Sequence, residues 1–119
     1  MALKLVSLSQ LGTTYQYSEV DSNQKKTIFT FKLPSGYVGF LYKIANSWYP
    51  NTYLLLRIDG ELFEKIEYAR EITNPLTYEP PIVFKYGIEV TAVNNDSSKH
   101  YFEFWIDGVA IEIQEVRPL

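Results

Sequence analysis

The segment from Thr27 to Ile44 decides the fold, and it reads Thr-Ile-Phe-Thr-Phe-Lys-Leu-Pro-Ser-Gly-Tyr-Val-Gly-Phe-Leu-Tyr-Lys-Ile. Between Thr27 and Leu33, apolar side chains recur at every second position, which is typical of a half-buried β-strand. Pro34-Ser35-Gly36 then favours a turn. The alternation resumes after the turn and predicts a second strand over Tyr37 to Ile44. The inner faces are expected to carry Phe29, Phe31 and Leu33 in the first strand, and Val38, Phe40, Tyr42 and Ile44 in the second.

The same alternation recurs in three later segments, at Tyr53 to Ile58, Ile82 to Val93 and Tyr101 to Ile106. Each predicts a β-strand. Gly87 interrupts the second segment and favours a bulge or bend within one long strand. The inward residues expected for the first segment are Leu54, Leu56 and Ile58.

Two Asp-Gly pairs stand at the ends of these segments. Asp59-Gly60 follows Ile58, and Asp107-Gly108 follows Ile106. An Asp-Gly pair between apolar runs is a strong hairpin signal, because the turn needs positive φ angles that Gly and Asp tolerate. We therefore expect two hairpins, the second leading into a strand over Val109 to Ile113.

Four other segments give weaker signals. Glu61 to Ile72 fits both periodicities; the preceding turn favours a strand at its start, and a helical turn near Tyr68 to Glu71 stays open. The other three segments are predicted to be loops: Gly12 to Lys26, Ala45 to Thr52 and Thr73 to Pro81. The first could hold a short edge strand, and the prolines of the last exclude central-strand pairing.

The number of strands and the length of the chain define the fold class. About seven or eight short strands separated by turns predict an all-β antiparallel β-sandwich with jelly-roll or related Greek-key topology. The 119 residues, of which 46% are hydrophobic and 16% aromatic, suffice for a single domain over residues 1–119 with its own core.

Composition excludes several kinds of function. The chain has no cysteine and one histidine, so it cannot form disulfides, cysteine-ligated zinc sites or multi-histidine metal sites. It has no glycine pattern for phosphate binding, and we expect no cofactor. The formal charge of −3 disfavours nucleic acid and membranes as partners. Because no signal peptide or membrane-spanning run is recognisable, we expect synthesis in the cytoplasm and a soluble product.

Side chains suited to catalysis are sparse. The one histidine, His100, reads as a solvated turn residue beside Ser97 and Ser98, and neighbours in sequence seldom form a catalytic triad. Asn94 to Asp96 read as turn formers rather than calcium ligands. Four glutamates lie close to basic residues and read as a solvated face: Glu61, Glu64, Glu67 and Glu71. We therefore predict no catalytic residues, no metal ligands and no enzymatic activity. A small hydrolase that uses glutamate side chains stays open as a weaker alternative, and it would need a cleft.

Two loops are the candidate binding surfaces. In Asn46 to Asn51, two large aromatic residues stand beside a proline outside any predicted strand, and Tyr53 extends the group. Such a loop can cap the end of the sandwich, anchor a protein partner or stack on sugar rings. Asn74 to Pro81 is stiff and would either dock against a neighbouring subunit or connect the sheets. The candidate residues are Trp48, Tyr49, Pro50, Asn51, Tyr53, Pro75 and Tyr78.

Four stretches carry a resemblance to known proteins. They read Leu55-Leu56-Arg57-Ile58-Asp59-Gly60, Tyr78-Glu79-Pro80-Pro81-Ile82-Val83, Ile88-Glu89-Val90-Thr91-Ala92-Val93-Asn94-Asn95 and Phe102-Glu103-Phe104-Trp105-Ile106-Asp107-Gly108. Over residues 27–113, the chain resembles small phage and viral β-sandwich structural proteins, including capsid decoration and head- or tail-attached jelly-roll proteins. The shared pattern is one of hydrophobicity and turns, and it transfers no functional residue.

The resemblance implies a non-enzymatic structural or decoration protein of a virion. Such a protein would act by assembly, as a homo-oligomer and with other structural proteins, and the two candidate loops would lie at contacts between subunits. The alternative is a carbohydrate-binding or receptor-binding module that uses Trp48, Tyr49 and Tyr53 as a stacking platform. Its partner would then be a glycan.

Overall fold

Two antiparallel β-sheets packed face to face make up the described part of the protein, residues 3–113 of a computed structural model. This part contains nine strands and a short 3₁₀ helix at Leu8–Gln10. The strands are β1 (Leu3–Ser7), β2 (Tyr15–Val20), β3 (Gln24–Lys32), β4 (Tyr37–Asn46), β5 (Thr52–Ile58), β6 (Glu61–Ile66), β7 (Leu76–Phe84), β8 (Gly87–Asn94) and β9 (His100–Ile113). The predicted all-β antiparallel sandwich is confirmed.

The strand order is that of a jelly roll. Sheet A has the order β1-β9-β4-β7, with β2 also paired to β9, and sheet B has the order β3-β8-β5-β6. Along the chain, β5 pairs with β6, β4 with β7, β3 with β8, and both β1 and β2 with β9. The chain is therefore one long hairpin rolled into two sheets. There are more strands than expected because β1 and β2 lie along different halves of β9.

Phenylalanine side chains fill the space between the sheets. Phe29 meets Phe104 edge-on with 5.1 Å between ring centroids, and Phe31 lies 6.3 Å from Phe84 in the same manner. All four are at most 2% exposed, and burial of each contributes about 1.5–3 kcal/mol. The inward residues predicted for Thr27 to Leu33 and for Tyr53 to Ile58 are confirmed as buried: Phe29, Phe31, Leu33, Leu54, Leu56 and Ile58.

Strand β4 exists as predicted, but the assignment of its inner face is wrong over the first half. Gly39 and Leu41 face the core. Gly39 lies inside because the ring of Phe84 fills the adjacent space, so that a Cβ on Gly39 would lie 2.4 Å from that ring. A β-bulge between Leu41 and Lys43 then shifts the register, and Ile44 is buried as predicted. The residues wrongly assigned to the core are Val38, Phe40 and Tyr42.

The segment from Ile82 to Val93 is two strands rather than one long strand. β7 ends at Phe84 in sheet A, and β8 begins at Gly87 in sheet B. The chain crosses between the sheets at Lys85 and Tyr86, so the bend expected at Gly87 is a change of sheet.

The Asp59-Gly60 hairpin is confirmed, and Asp59 also fixes this crossing. The φ angles are +53° at Asp59 and +83° at Gly60, as a two-residue hairpin turn requires. The Asp59 carboxylate accepts hydrogen bonds from the backbone N–H groups of Lys85, Tyr86 and Gly87 at 2.9, 2.7 and 3.0 Å. Although loss of solvent raises its pKa, these donors outweigh that effect and hold the pKa of Asp59 below its usual value.

The second Asp-Gly pair does not form the predicted hairpin. Asp107 and Gly108 lie inside β9, opposite Lys43 and Leu41 of β4. A Cβ at position 108 would lie 2.1 Å from the carbonyl oxygen of Phe40. Glycine is therefore needed at this position for the close approach of two backbones, not for a positive φ.

Three further segments had weak sequence signals, and the structure assigns each of them. The segment from Gly12 to Lys26, predicted as a loop that could hold a short edge strand, contains the edge strand β2. Thr73 to Pro81, predicted as a loop, overlaps β7, an edge strand in which prolines are tolerated. The helical turn near Tyr68 to Glu71 is absent from the described chain; Arg70 there exchanges backbone hydrogen bonds with Asn46. No helix in residues 3–113 has the length and hydropathy needed to cross a membrane.

Gly108→Ala is expected to destabilise the fold, because the added methyl group would force β4 and β9 apart. We expect the free energy of unfolding, measured by urea denaturation, to fall by about 1–3 kcal/mol or more. Asp107→Ala at the exposed neighbouring position is the control and should change it by about 0.5 kcal/mol at most. Equal effects of the two substitutions would contradict the continuous β9.

Asp59→Asn tests the crossing at Lys85 and Tyr86. Since the folded-state pKa of Asp59 lies below the unfolded value of about 3.9, its contribution to stability is present above about pH 4 and disappears as the pH falls through the folded-state pKa. The variant should be less stable than the native protein by about 1 kcal/mol at neutral pH. This difference should shrink at about pH 3 in urea denaturation. A constant difference across pH would show that the charge of Asp59 is not involved.

Candidate functional site

The aromatic loop after β4 closes one end of the sandwich. Trp48 is half-buried, and its Nε1–H donates to the carbonyl oxygen of Thr52 at 2.9 Å. The ring of Tyr49 stacks on that of His100, with centroids 4.2 Å apart and 11° between the planes, and it meets Phe102 edge-on. Tyr49 therefore extends the core and caps it.

His100 is not the solvated turn residue that its sequence context predicts. It begins β9, and its side chain is 18% exposed. Its Nε2 lies 2.7 Å from Oδ2 of Asp96. This hydrogen bond, and after it that of the Ser97 N–H group, lowers the pKa of Asp96. Asn94 is buried, and its Oδ1 accepts from the Asp96 N–H group at 3.0 Å, as in a turn former. Its Nδ2 donates to the carbonyl oxygens of Ser98 in the same turn and of Val20 in β2.

The residues predicted around the aromatic loop are only partly brought together. Trp48, Asn51 and Tyr53 line one shallow depression. Tyr49 lies in the cap, and Pro50 is exposed. The ammonium group of Lys65 lies over the ring of Tyr53, 4.4 Å from its centroid. The predicted platform of three aromatic rings is therefore not formed.

Pro75 and Tyr78 lie apart from these residues: Pro75 directly precedes β7, and Tyr78 lies near its start. Both are partly buried. The Tyr78 ring meets Phe63 of β6 edge-on at 5.8 Å and so joins edge strands of the two sheets. Burial raises the pKa of the Tyr78 hydroxyl far above its usual value. These positions fit a connection between the sheets better than a docking loop.

A continuous apolar surface covers the outer face of sheet A along the C-terminal half of β9. Leu5 is the cross-strand neighbour of Ile111, and Phe40 is the neighbour of both Val109 and Val83. Leu5 is 65% exposed and Val83 55%. This surface, the apolar patch, consists of Leu3, Leu5, Val38, Phe40, Val83, Val109, Ile111 and Ile113. Exposed apolar patches of this continuity mark interaction sites.

The outer face of sheet B has a different character. Most of its side chains are charged or hydroxyl-bearing, namely Lys25, Thr27, Thr30, Lys32, Arg57, Lys65, Glu89 and Thr91, and the apolar or aromatic ones among them are Tyr53, Leu55, Leu62 and Val93. An antiparallel sheet with one solvated face is expected to show this composition. In the described chain, the outer face of sheet A is therefore the more apolar of the two and the better suited to burial against another surface.

An aromatic groove lies beside the N-terminal half of β9 on the same face. Trp105 of β9 stands between Tyr15 of β2 and Ala45 of β4 in cross-strand register. The segment Ala69–Thr73, which connects β6 to β7, forms the opposite wall, and the groove has a volume of about 420 Å³. Loss of solvent contact and the neighbouring Glu103 carboxylate raise the pKa of Tyr15. The groove thus combines aromatic rings with a charged rim.

Both surfaces lie outside the predicted binding loops, although β9 contains a signal for them. Its alternation predicts the inward residues, and the outward residues Trp105, Val109 and Ile111 are also apolar. A strand that is apolar on both sides is typical of one covered on both faces. β1 gave little signal because Lys4 and Ser7 interrupt its short apolar run.

The fold and these surfaces define a class, a jelly-roll β-sandwich with one apolar outer face. No protein-family model matches the chain, and no curated protein is significantly similar to it in sequence. The function is therefore inferred from the surfaces themselves.

Tyr49→Ala should destabilise the protein, because it removes the ring that covers Phe102 and stacks on His100. We expect a loss of about 2–4 kcal/mol in the free energy of unfolding, measured by urea denaturation. Tyr86→Ala is the matched control: Tyr86 is 75% exposed, so the same truncation should cost about 0.5 kcal/mol or less. A Tyr49→Ala variant as stable as the control would contradict the capping role.

Proposed function

We propose that this protein is a non-enzymatic structural subunit, of the kind that builds or decorates a virion, and that it assembles with copies of itself and with other structural proteins. The observation that carries the proposal is the apolar patch. Burial of its side chains against another surface would contribute about 25 cal/mol for each Å² of apolar area removed from water. Leaving them in water contributes nothing to the stability of the fold.

The sheet edges indicate where a second copy would bind. A free edge strand is a template for pairing, and proteins protect such edges with prolines, charges or covering groups. β7 contains Pro80-Pro81, and β6 contains Glu61 and Lys65. The side chain of Gln16 covers β3 by hydrogen bonding to both the N–H and the carbonyl group of Thr30. β1 has a single charge, Lys4, and no proline, and no second strand in residues 3–113 pairs with it. It is therefore the least protected of these edges.

Antiparallel pairing of two β1 strands would join two copies of sheet A with two-fold symmetry. Five strands from each copy would form one sheet of ten, and both copies would use the same segment, so that the contact closes on itself. Leu3 and Leu5 of the two copies would meet at the centre. The two apolar patches would then form one larger apolar surface, available to a further structural protein.

The fold and the sequence pattern support the virion part of the proposal. Jelly rolls are a recurrent architecture of viral capsid proteins, and residues 27–113 resemble small phage and viral structural proteins. One fold serves many functions, however, so that these points add to the apolar patch and do not replace it. Mass spectrometry of purified virus particles from the source organism tests for the protein directly.

Leu5→Glu is expected to shift the protein towards the monomer, because two like charges would face each other across the β1 contact. Light scattering on a sizing column, across a concentration series, should give a dimer or larger species for the native protein and 13.8 kDa for the variant. Thermal unfolding of the monomer should change little, since Leu5 is 65% exposed.

Leu62→Glu is the matched control for this experiment. Leu62 is 58% exposed on β6 of sheet B, outside the apolar patch, and the same substitution there should leave the mass unchanged. Native protein of monomer mass at every concentration would argue against the β1 contact, as would a Leu5→Glu variant that assembles normally.

A further inference from the structure

We infer that the aromatic groove is a binding site for a neutral carbohydrate. The groove shares no residue with the apolar patch or with the depression at Trp48 and Tyr53. Its lining combines two aromatic rings with hydrogen-bond donors and acceptors. A saccharide matches this combination, because the C–H face of its ring packs on aromatic faces while its hydroxyl groups both donate and accept.

The groove has space above its floor because the small side chain of Ala45 lies beside the large ring of Trp105. Ala45 and Trp105 are cross-strand neighbours whose side chains are on the outer side of sheet A. A larger residue at position 45 would fill the space between Trp105 and the wall at Ala69–Thr73. Tyr15 flanks Trp105 on the opposite strand. Both residues line the groove, so two aromatic rings border it.

The wall of the groove is held in place by backbone hydrogen bonds. Arg70 and Asn46 exchange two of them, at 2.9 and 3.0 Å. The N–H group of Asn74 donates to the carbonyl oxygen of Glu71 at 3.0 Å and closes a turn. Because these bonds fix the wall before any ligand arrives, binding loses little conformational entropy.

The charges in the lining favour a neutral ligand. Arg70 contributes one positive charge, and Glu71 and Glu103 contribute two negative charges, which gives a net charge of −1 for the described lining. Two carboxylates would repel a phosphate or an acidic chain. The guanidinium group of Arg70 lies over the Tyr68 ring, 4.1 Å from its centroid, so the groups left to bind a sugar are the carboxylates, which accept hydrogen bonds from its hydroxyl groups.

The size of the groove favours a small ligand over a protein surface. Its volume of about 420 Å³ falls within the range of roughly 300–1,000 Å³ for small-molecule sites. A specific protein partner would need about 800 Å² of surface, and the wall at Ala69–Thr73 limits access from one side. The ligand is therefore a short saccharide or the terminal unit of a longer glycan.

The two tryptophans allow the two depressions to be tested separately. Trp48→Phe leaves Trp105 as the single tryptophan, and Trp105→Phe leaves Trp48. Each variant would be titrated with maltose, cellobiose, lactose and N,N′-diacetylchitobiose, with sialyllactose as an anionic comparison. We expect a saturable change in the fluorescence of Trp105 with at least one neutral saccharide, a weaker response to sialyllactose, and no change in the fluorescence of Trp48.

Tyr15→Ala and Tyr17→Ala form a matched pair of variants. The two tyrosines lie on the same side of β2, two positions apart, and only Tyr15 lines the groove. Made in the Trp48→Phe background, Tyr15→Ala should weaken saccharide binding about tenfold through loss of one stacking surface. The Tyr17 ring packs beside that of Tyr15 at 5.9 Å without lining the groove, so Tyr17→Ala should weaken binding much less than Tyr15→Ala.

Three results would overturn the inference: no saccharide changes the fluorescence of Trp105, Trp48 responds in its place, or the two tyrosine variants bind equally. Self-association is measured separately, by light scattering on Leu5→Glu. A failure of carbohydrate binding and a failure of assembly are therefore distinguishable.

Discussion

Strand β9 is the element on which the rest of the molecule depends. It continues for fourteen residues because Gly108 lets the backbone of β4 approach where a side chain would collide with Phe40. β4 lies along one side of β9, and β1 and β2 share the other. A turn at Asp107-Gly108 would have ended the strand at Ile106 and separated its two halves. Because the strand continues, the apolar patch and the aromatic groove lie on one outer face.

The two sheets contribute differently to the protein. Sheet B follows the ordinary rule for an antiparallel sheet, with apolar residues inward and mostly charged or hydroxyl-bearing residues outward, apart from a few such as Leu55 and Val93. Sheet A contributes Phe84, Phe102 and Phe104 to the same core, yet its outer face is also apolar. The core already has its phenylalanines, so the outer residues are not needed to fill it. Their composition is better explained by contact with another molecule than by the stability of the single chain.

The sequence predicts a strand and its inner face wherever one side is apolar and the other polar. β3 and β5 obey this rule, and spacing alone assigns Phe31 and Leu56 to the core. β4 is apolar on both sides, so the packing of Phe84 against Gly39 decides its orientation, and this contact joins distant parts of the chain. Asp-Gly pairs have a similar ambiguity, because a glycine required for close backbone approach is indistinguishable in sequence from one required for a positive φ. The aromatic loop could therefore be predicted as a candidate, whereas the apolar outward residues of β9 indicate only part of the outer face of sheet A, because the strands that complete it depend on a strand order that the sequence does not reveal.

The two proposed activities are compatible because they use different halves of β9. β1 lies beside Val109–Ile113, and β2 lies beside His100–Trp105. Pairing of β1 with a second copy would extend the sheet at the first of these halves and leave the groove at the second half open. A subunit built in this way would hold its neighbours through the apolar patch while presenting Trp105 and Tyr15 to a saccharide. Assembly would then multiply a weak single-site affinity, since several grooves on one particle bind one glycan-bearing surface together.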